Sequence, residues 1–209
     1  MDNRKSNYSL YLVTDRGLLG DKDLAKTVEQ AIQGGVTVVQ VREKNLSSAE
    51  FYQVALVIKD VTEKYGVPLI VNDRADIALA VDAAGLHIGQ EDLPLVVARK
   101  LLGANKIIGV SAATLAEALL AQDQGADYLG IGAVFPTNTK DDTDSVSLAE
   151  LKAIKAKVKI PIVAIGGING SNIRDVMNTG VDGVAVVSAI VAAADPKAAT
   201  CKLLQLTKE

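Results

Sequence analysis

Eight short runs of β-branched and aliphatic residues recur along the chain, separated by amphipathic stretches, and this alternation limits the fold more than any other feature. The runs are Leu10–Thr14, Thr37–Arg42, Leu69–Val71, Gly85–Ile88, Ile107–Val110, Tyr128–Ile131, Ile162–Ile165 and Gly183–Val187. Between them, stretches such as Leu24–Gln33, Ser48–Tyr65, Leu93–Leu102 and Leu115–Gln124 carry apolar residues at three- and four-residue spacing, the period of a helix with one buried face. Strands that alternate with helices run parallel, because each helix carries the chain back to the starting end of the sheet. Eight such units predict an α/β fold, a (β/α)8 TIM barrel. The 209 residues suit a single domain over 1–209, at the lower end of that fold's size range.

Turn residues agree with this layout. Gly34-Gly35, Gly66-Val67-Pro68, Gly125-Ala126-Asp127 and Gly180-Val181-Asp182 each fall between a helical stretch and the next run, where a helix C-cap belongs. One long irregular stretch, Gly132 to Val146, follows the sixth run. A loop of that length is uncommon without a function and predicts a lid over the mouth.

Composition excludes several classes of function. The net charge is −3 and aromatic residues make up 3% of the chain, so both usual supports of nucleic-acid binding are missing. The apolar run Tyr8–Val13 is far too short for a membrane span or a secretion signal, and a cytoplasmic enzyme with no membrane contact is expected. The single cysteine, Cys201, excludes an internal disulfide and a cysteine metal cluster, and reads as a buried helix thiol in a reducing compartment. An assembly of identical chains is admitted on base rate alone.

In a barrel of this kind, polar side chains at the C-terminal ends of strands carry the chemistry. The second run ends in Gln40-Val41-Arg42-Glu43-Lys44. Period-two alternation turns Gln40, Arg42 and Lys44 inward and Val41 outward, so an arginine and a lysine converge with no acid on their own face and await an anion. The third run ends in Asn72-Asp73, and the fourth leads through His87 to Gln90-Glu91-Asp92. Asp73 and Asp92 read either as caps of the following helices or, together beside the cations, as ligands of Mg²⁺, which favours one or two carboxylates plus water and substrate phosphate. His87 reads as a wall residue rather than a base.

The fifth run delivers Ser111, and the loop after the sixth carries Thr137-Asn138-Thr139-Lys140. The seventh ends in Gly166-Gly167 and the eighth in Val187-Ser188. Loops after the last two strands commonly hold phosphate, because glycine lets backbone N–H groups approach the anion at a helix start.

Taken together, these segments resemble the thiamin phosphate synthase family over nearly the whole chain. The resemblance runs through Tyr11-Leu12-Val13-Thr14-Asp15, Gln40 to Lys44, Val71-Asn72-Asp73, Gly85 to Asp92, Gly132 to Lys140, Ala164 to Ile168 and Val187-Ser188. Ala133 stands where the family often has proline, and Asn45 where aspartate or glycine is frequent.

The resemblance implies condensation of a pyrimidine diphosphate with a thiazole phosphate, giving thiamin monophosphate and pyrophosphate. It implies that Gln40, Val41, Arg42, Glu43, Lys44, Asn72, Ser111 and Lys140 hold the pyrimidine diphosphate, with Arg42, Lys44, Lys140 and Ser111 acting catalytically. Thr137, Asn138, Thr139, Gly167, Val187 and Ser188 would hold the thiazole phosphate, and Asp73 and Asp92 would bind Mg²⁺. The partners it implies are small phosphorylated molecules. Three alternatives share the barrel: a thiazole tautomerase, which has no need of the diphosphate machinery; a sugar-phosphate isomerase or epimerase, which needs an acid/base pair; and a non-catalytic phosphate sensor.

Overall fold

The structure, a computed structural model, describes residues 6–137 and 145–208. Eight parallel strands close into a barrel in sequence order, β1 (Leu10–Val13), β2 (Val38–Val41), β3 (Leu69–Asn72), β4 (Gly85–Ile88), β5 (Ile107–Ala112), β6 (Tyr128–Ile131), β7 (Ile162–Ile165) and β8 (Gly183–Val186). Helices α1 (Leu24–Gly34), α2 (Ser48–Lys64), α3 (Ala75–Ala80), α4 (Leu95–Leu102), α5 (Leu115–Asp123), α6 (Leu148–Lys155) and α7 (Ile173–Met177) connect consecutive strands. A short α8 (Ser188–Val191) and α9 (Pro196–Leu206) follow β8. All eight runs read from the sequence are strands, three with the same bounds and five with an end displaced by one or two residues. β2 is the strand shortened at both ends, starting at Val38 and stopping at Val41.

Several helices start on side chains suited to the task. Ser47 with Glu50, Thr114 with Glu117 and Ser147 with Glu150 form reciprocal capping boxes at α2, α5 and α6, satisfying N–H groups that the first turn leaves without an intrahelical partner. The glycine turns end helices as expected, Gly35 taking a left-handed φ of 110° as the C-cap of α1. Two of the aspartates in these turns have a further role. Asp127 accepts from the Ile108 backbone N–H at 2.8 Å and pairs with Arg99, while Asp182 accepts from Ile162 N–H at 2.7 Å and pairs with Lys155. The repeated Gly-x-Asp turn therefore pins strand starts at the N-terminal face, the end associated with stability.

Alternation divides the apolar residues into two layers. Val39, Val41, Val71, Leu86, Ile88, Ile108, Leu129, Ala164 and Val184 face outward into one continuous core beneath the helices. Inside the barrel, Tyr8, Tyr11, Val13, Val38, Ile70, Ile107, Tyr128, Val163 and Ala185 form a separate cluster. Room for its large rings comes from inward glycines. A Cβ on Gly109 would lie 2.1 Å from Tyr128 Cζ, and one on Gly130 would lie 3.1 Å from His87 Cε1.

One expectation fails at the periphery: Cys201 is exposed on α9 rather than buried. Helical periodicity fixes which residues share a face, and Thr200 and Leu203 take the buried side of α9. Asn138, Thr139 and Lys140 lie outside the described residues, as do 141–144 of the stretch read as a lid.

Candidate active site

The mouth is built on two arcs. Because the strands close in sequence order, β3 lies opposite β7 and β4 opposite β8. The first arc, over β2 to β4, is charged. Arg42, Glu43 and Lys44 lie beyond the end of β2, free of strict alternation, and the acids that the sequence reading found lacking on their own face come from neighbouring loops. Arg42 is 3.6 Å from Asp15, Glu43 pairs with Arg16 at 3.0 Å, and Lys44 pairs with Asp73 at 2.5 Å. Val41 packs into the outer core, so its side chain does not face the mouth. Gln40 and Asn72 are buried on inward positions of β2 and β3.

Neither Asp73 nor Asp92 caps a helix. The N-cap residue of α3 is Arg74 and that of α4 is Pro94, each without a side-chain cap, which removes the capping alternative for both. Asp92 instead accepts from Gly89 N–H at 2.7 Å and closes its own loop. Asp73 takes a left-handed backbone, φ 62°, a conformation uncommon outside glycine, asparagine and aspartate. That backbone turns its carboxyl toward Lys44 and Asp92.

The two carboxyls lie within hydrogen-bonding reach of each other. Burial raises both, but the Lys44 ammonium and the hydrogen bond from Asp92 outweigh it at Asp73, holding that acid below the ordinary range. At Asp92, burial together with the charge of Asp73 outweighs the Gly89 N–H and keeps the acid above it. Two adjacent carboxyls, one of them raised by burial and by the charge of the other, fit a hard divalent cation, whose charge would offset their repulsion. A cluster of three or more His, Cys, Asp or Glu ligands is not found among the described residues, so such an ion would complete its shell with water and substrate oxygen.

The second arc, over β7 and β8, is a backbone site. A recess of about 20 Å³ is lined by Thr137, Gly166, Gly167, Ile168, Val187 and Ser188, among others. Gly167 has φ 64°, and a Cβ there would lie 2.7 Å from both Phe135 Cβ and the Pro136 carbonyl oxygen. The glycine thus serves the close approach of the β6–α6 loop as well as the turn. α8 starts at Ser188 with no side-chain cap, leaving first-turn N–H groups for an anion. Gly167→Ala should raise the KM for a phosphate-bearing substrate at this recess at least about tenfold, through strain at positive φ and displacement of the loop. Steady-state kinetics with each substrate varied in turn would show the rise in one KM only.

Between the arcs, the barrel interior carries a hydrogen-bonded chain that the sequence reading missed. Gln40 Nε2 donates to Tyr11 Oη at 2.9 Å; Tyr11 and Tyr128 hydroxyls are 2.8 Å apart; Tyr128 Oη is 2.8 Å from His87 Nδ1; and His87 Nε2 is 2.9 Å from Ser111 Oγ. His87 is 8% exposed and both ring nitrogens are engaged, which suits a wall residue. Gln90, to which the sequence assigned no role, donates to the Ser111 carbonyl at 2.6 Å. The inward parity of Tyr11 and Tyr128 is visible in the sequence; their meeting, 117 positions apart, is not.

A closed parallel barrel with paired acids and a glycine-lined recess on opposite arcs of its mouth defines a class, the (β/α)8 enzymes that act on small phosphorylated substrates. A model of the thiamine monophosphate synthase family matches residues 10–190. A thiamine-phosphate synthase of Clostridium tetani is 57% identical over 199 residues, covering 95% of each chain, and one of Clostridium acetobutylicum is 58% identical over 187 residues. A solved thiamine phosphate pyrophosphorylase from Pyrococcus furiosus superposes with a TM-score of 0.89 at 44% identity, covering 97% of this chain and 96% of its own. The chain belongs to the thiamine monophosphate synthase family and is a transferase of thiamine biosynthesis. An (S)-3-O-geranylgeranylglyceryl phosphate synthase from Thermoplasma acidophilum, at 14% identity and a TM-score of 0.72, shares the fold alone.

Proposed function

We propose that this enzyme joins 4-amino-5-hydroxymethyl-2-methylpyrimidine diphosphate to 4-methyl-5-(2-hydroxyethyl)thiazole phosphate, or its carboxylated form, yielding thiamin monophosphate and pyrophosphate and, from the carboxylated form, carbon dioxide as well. The observation that carries the reading is the pair of unlike anion-facing arcs on opposite sides of one mouth. A diphosphate suits the charged arc of Arg42, Lys44, Asp73 and Asp92, and a monophosphate suits the backbone recess at Gly167, Val187 and Ser188. The reacting atoms then meet between them, over Gln40 and Ser111.

The bond from the pyrimidine methylene to the diphosphate oxygen breaks, and its electron pair leaves with the diphosphate. The lone pair of the thiazole nitrogen forms the new carbon–nitrogen bond. With the uncarboxylated thiazole phosphate no proton need move, so a site whose one histidine is held inside the wall is adequate. Arg42 and Lys44 face the leaving group, each such fixed charge being worth about 3–4 kcal/mol at the transition state. Lys140, outside the described residues, is assigned to the same task. Mg²⁺ bound by Asp73 and Asp92 would neutralise the departing pyrophosphate. Thr137, Asn138 and Thr139 are assigned to the thiazole phosphate, and Asn72 to the pyrimidine side. We assign the enzyme to the cytoplasm; no helix among the described residues is long and apolar enough to cross a membrane.

The test follows pyrophosphate and thiamin monophosphate together, with both substrates and Mg²⁺ present. Equal amounts should form, and formation should stop when EDTA is added. Retained binding with no pyrophosphate release under any condition would overturn the synthase reading in favour of a tautomerase or sensor.

A further inference from the structure

We propose that Tyr11, Tyr128 and His87 are positioning residues that fix the hydrogen-bonding polarity of the pyrimidine subsite, presenting an acceptor at Gln40 and a donor at Ser111. This rests on the assignment of Gln40 and Ser111 to the pyrimidine diphosphate.

The polarity follows from counting protons along the chain. A phenol has one proton to donate. Tyr11 accepts from Gln40 Nε2, so its own proton is directed to Tyr128. Tyr128 accepts from Tyr11 and directs its proton to His87 Nδ1. Nδ1 is then an acceptor, and a neutral imidazole keeps its proton on Nε2, from which it donates to Ser111 Oγ. With Nε2 committed to Tyr11, Gln40 has Oε1 to offer a ligand. With its oxygen accepting from His87, Ser111 has its hydroxyl proton to offer. Burial raises both tyrosine hydroxyls above their ordinary range, so neither becomes a phenolate that would break the sequence of donors.

The consequence is chemical. A pyrimidine bearing an exocyclic amine offers N–H donors beside ring-nitrogen acceptors, the complement of what Gln40 and Ser111 present. As the diphosphate leaves, positive charge on the methylene carbon is relieved by electrons from the amino nitrogen. An amide oxygen accepting from that amine increases its donation, whereas the reversed amide would place N–H against N–H. The relay holds Gln40 in the useful orientation from inside the wall, where water cannot reverse it.

The chain contains one histidine, so enzyme labelled with nitrogen-15 histidine gives a single pair of ring resonances. At neutral pH we expect a neutral ring with its proton on Nε2 and a hydrogen-bonded, bare Nδ1. A proton on Nδ1, or a doubly protonated ring, would overturn the relay. In Tyr128→Phe, which retains the ring but breaks the relay, the single-tautomer signature should be lost. The KM for the pyrimidine diphosphate should rise about tenfold, the size expected for one mispaired buried hydrogen bond, with the KM for the thiazole phosphate unchanged. Tyr11→Phe should reproduce this split, so the test survives if one variant fails to fold. Unchanged kinetics in a folded variant, or equal rises in both KM values, would overturn the proposal. Gln40→Ala separates the two levels. An impaired Gln40→Ala beside an Nδ1-protonated ring defeats the relay alone, and a Gln40→Ala with ordinary pyrimidine kinetics defeats the subsite assignment and the relay with it.

Discussion

Asp73→Asn should lower turnover by about a hundredfold or more with little change in the folded state. Asparagine is among the few residues that accept a left-handed backbone, so the φ of 62° at this position survives the exchange. The side chain keeps its shape and loses its charge. What disappears is the Asp73 carboxylate, and with it the site proposed for a divalent cation facing the leaving diphosphate. The Lys44–Asp73 ion pair is half exposed on the lysine side, and pairs of that kind contribute little to stability. Tm should therefore move by no more than about 2 °C. Turnover against Mg²⁺ concentration, together with a thermal melt, checks both parts. Near-normal turnover at saturating Mg²⁺ would remove Asp73 from the diphosphate site, and a large loss of Tm would assign it a structural role.

Gly109→Ala should do the reverse, damaging the fold at a position assigned to neither substrate. The added Cβ would lie 2.1 Å from Tyr128 Cζ, 2.3 Å from Cε1 and 2.4 Å from the hydroxyl, and Tyr128 is 1% exposed with its hydroxyl held between Tyr11 and His87. Overpacking of this severity costs about 3 kcal/mol, at the upper end of what such insertions do. For a chain of this length that lowers Tm by about 6–12 °C. Gly125→Ala is the control. Nothing lies within 4 Å of a Cβ there, so only its left-handed φ opposes the change, a cost of about 1 kcal/mol. Comparable melts for the two variants would show that the barrel interior yields more readily than its packing implies.

Most of the architecture was legible because parallel strands and crossover helices write themselves in periods. The C-terminal strand ends could be located, and with them Gln40, Asn72, Ser111, Gly167 and Val187. Strand ends proper were less legible. Alternation extended through Lys44 implied a bare cationic face, but β2 stops at Val41, and the chain beyond it meets Asp15, Arg16 and Asp73 from other loops. The choice between cap and ligand at Asp73 and Asp92 was equally beyond sequence. A cap is a relation to a helix start, and only coordinates show that α3 and α4 begin without one.

By itself, the sequence determined which residues turn inward, which turn outward and which stand at the mouth, because those follow from spacing along one chain. Closure of the barrel decided the rest. It set β3 across from β7, so that a charged arc faces a backbone recess. It also brought Tyr11, Tyr128 and His87 within 2.8 Å steps of one another. Such pairings depend on stagger and curvature shared by all eight strands, and no local pattern of residues encodes them.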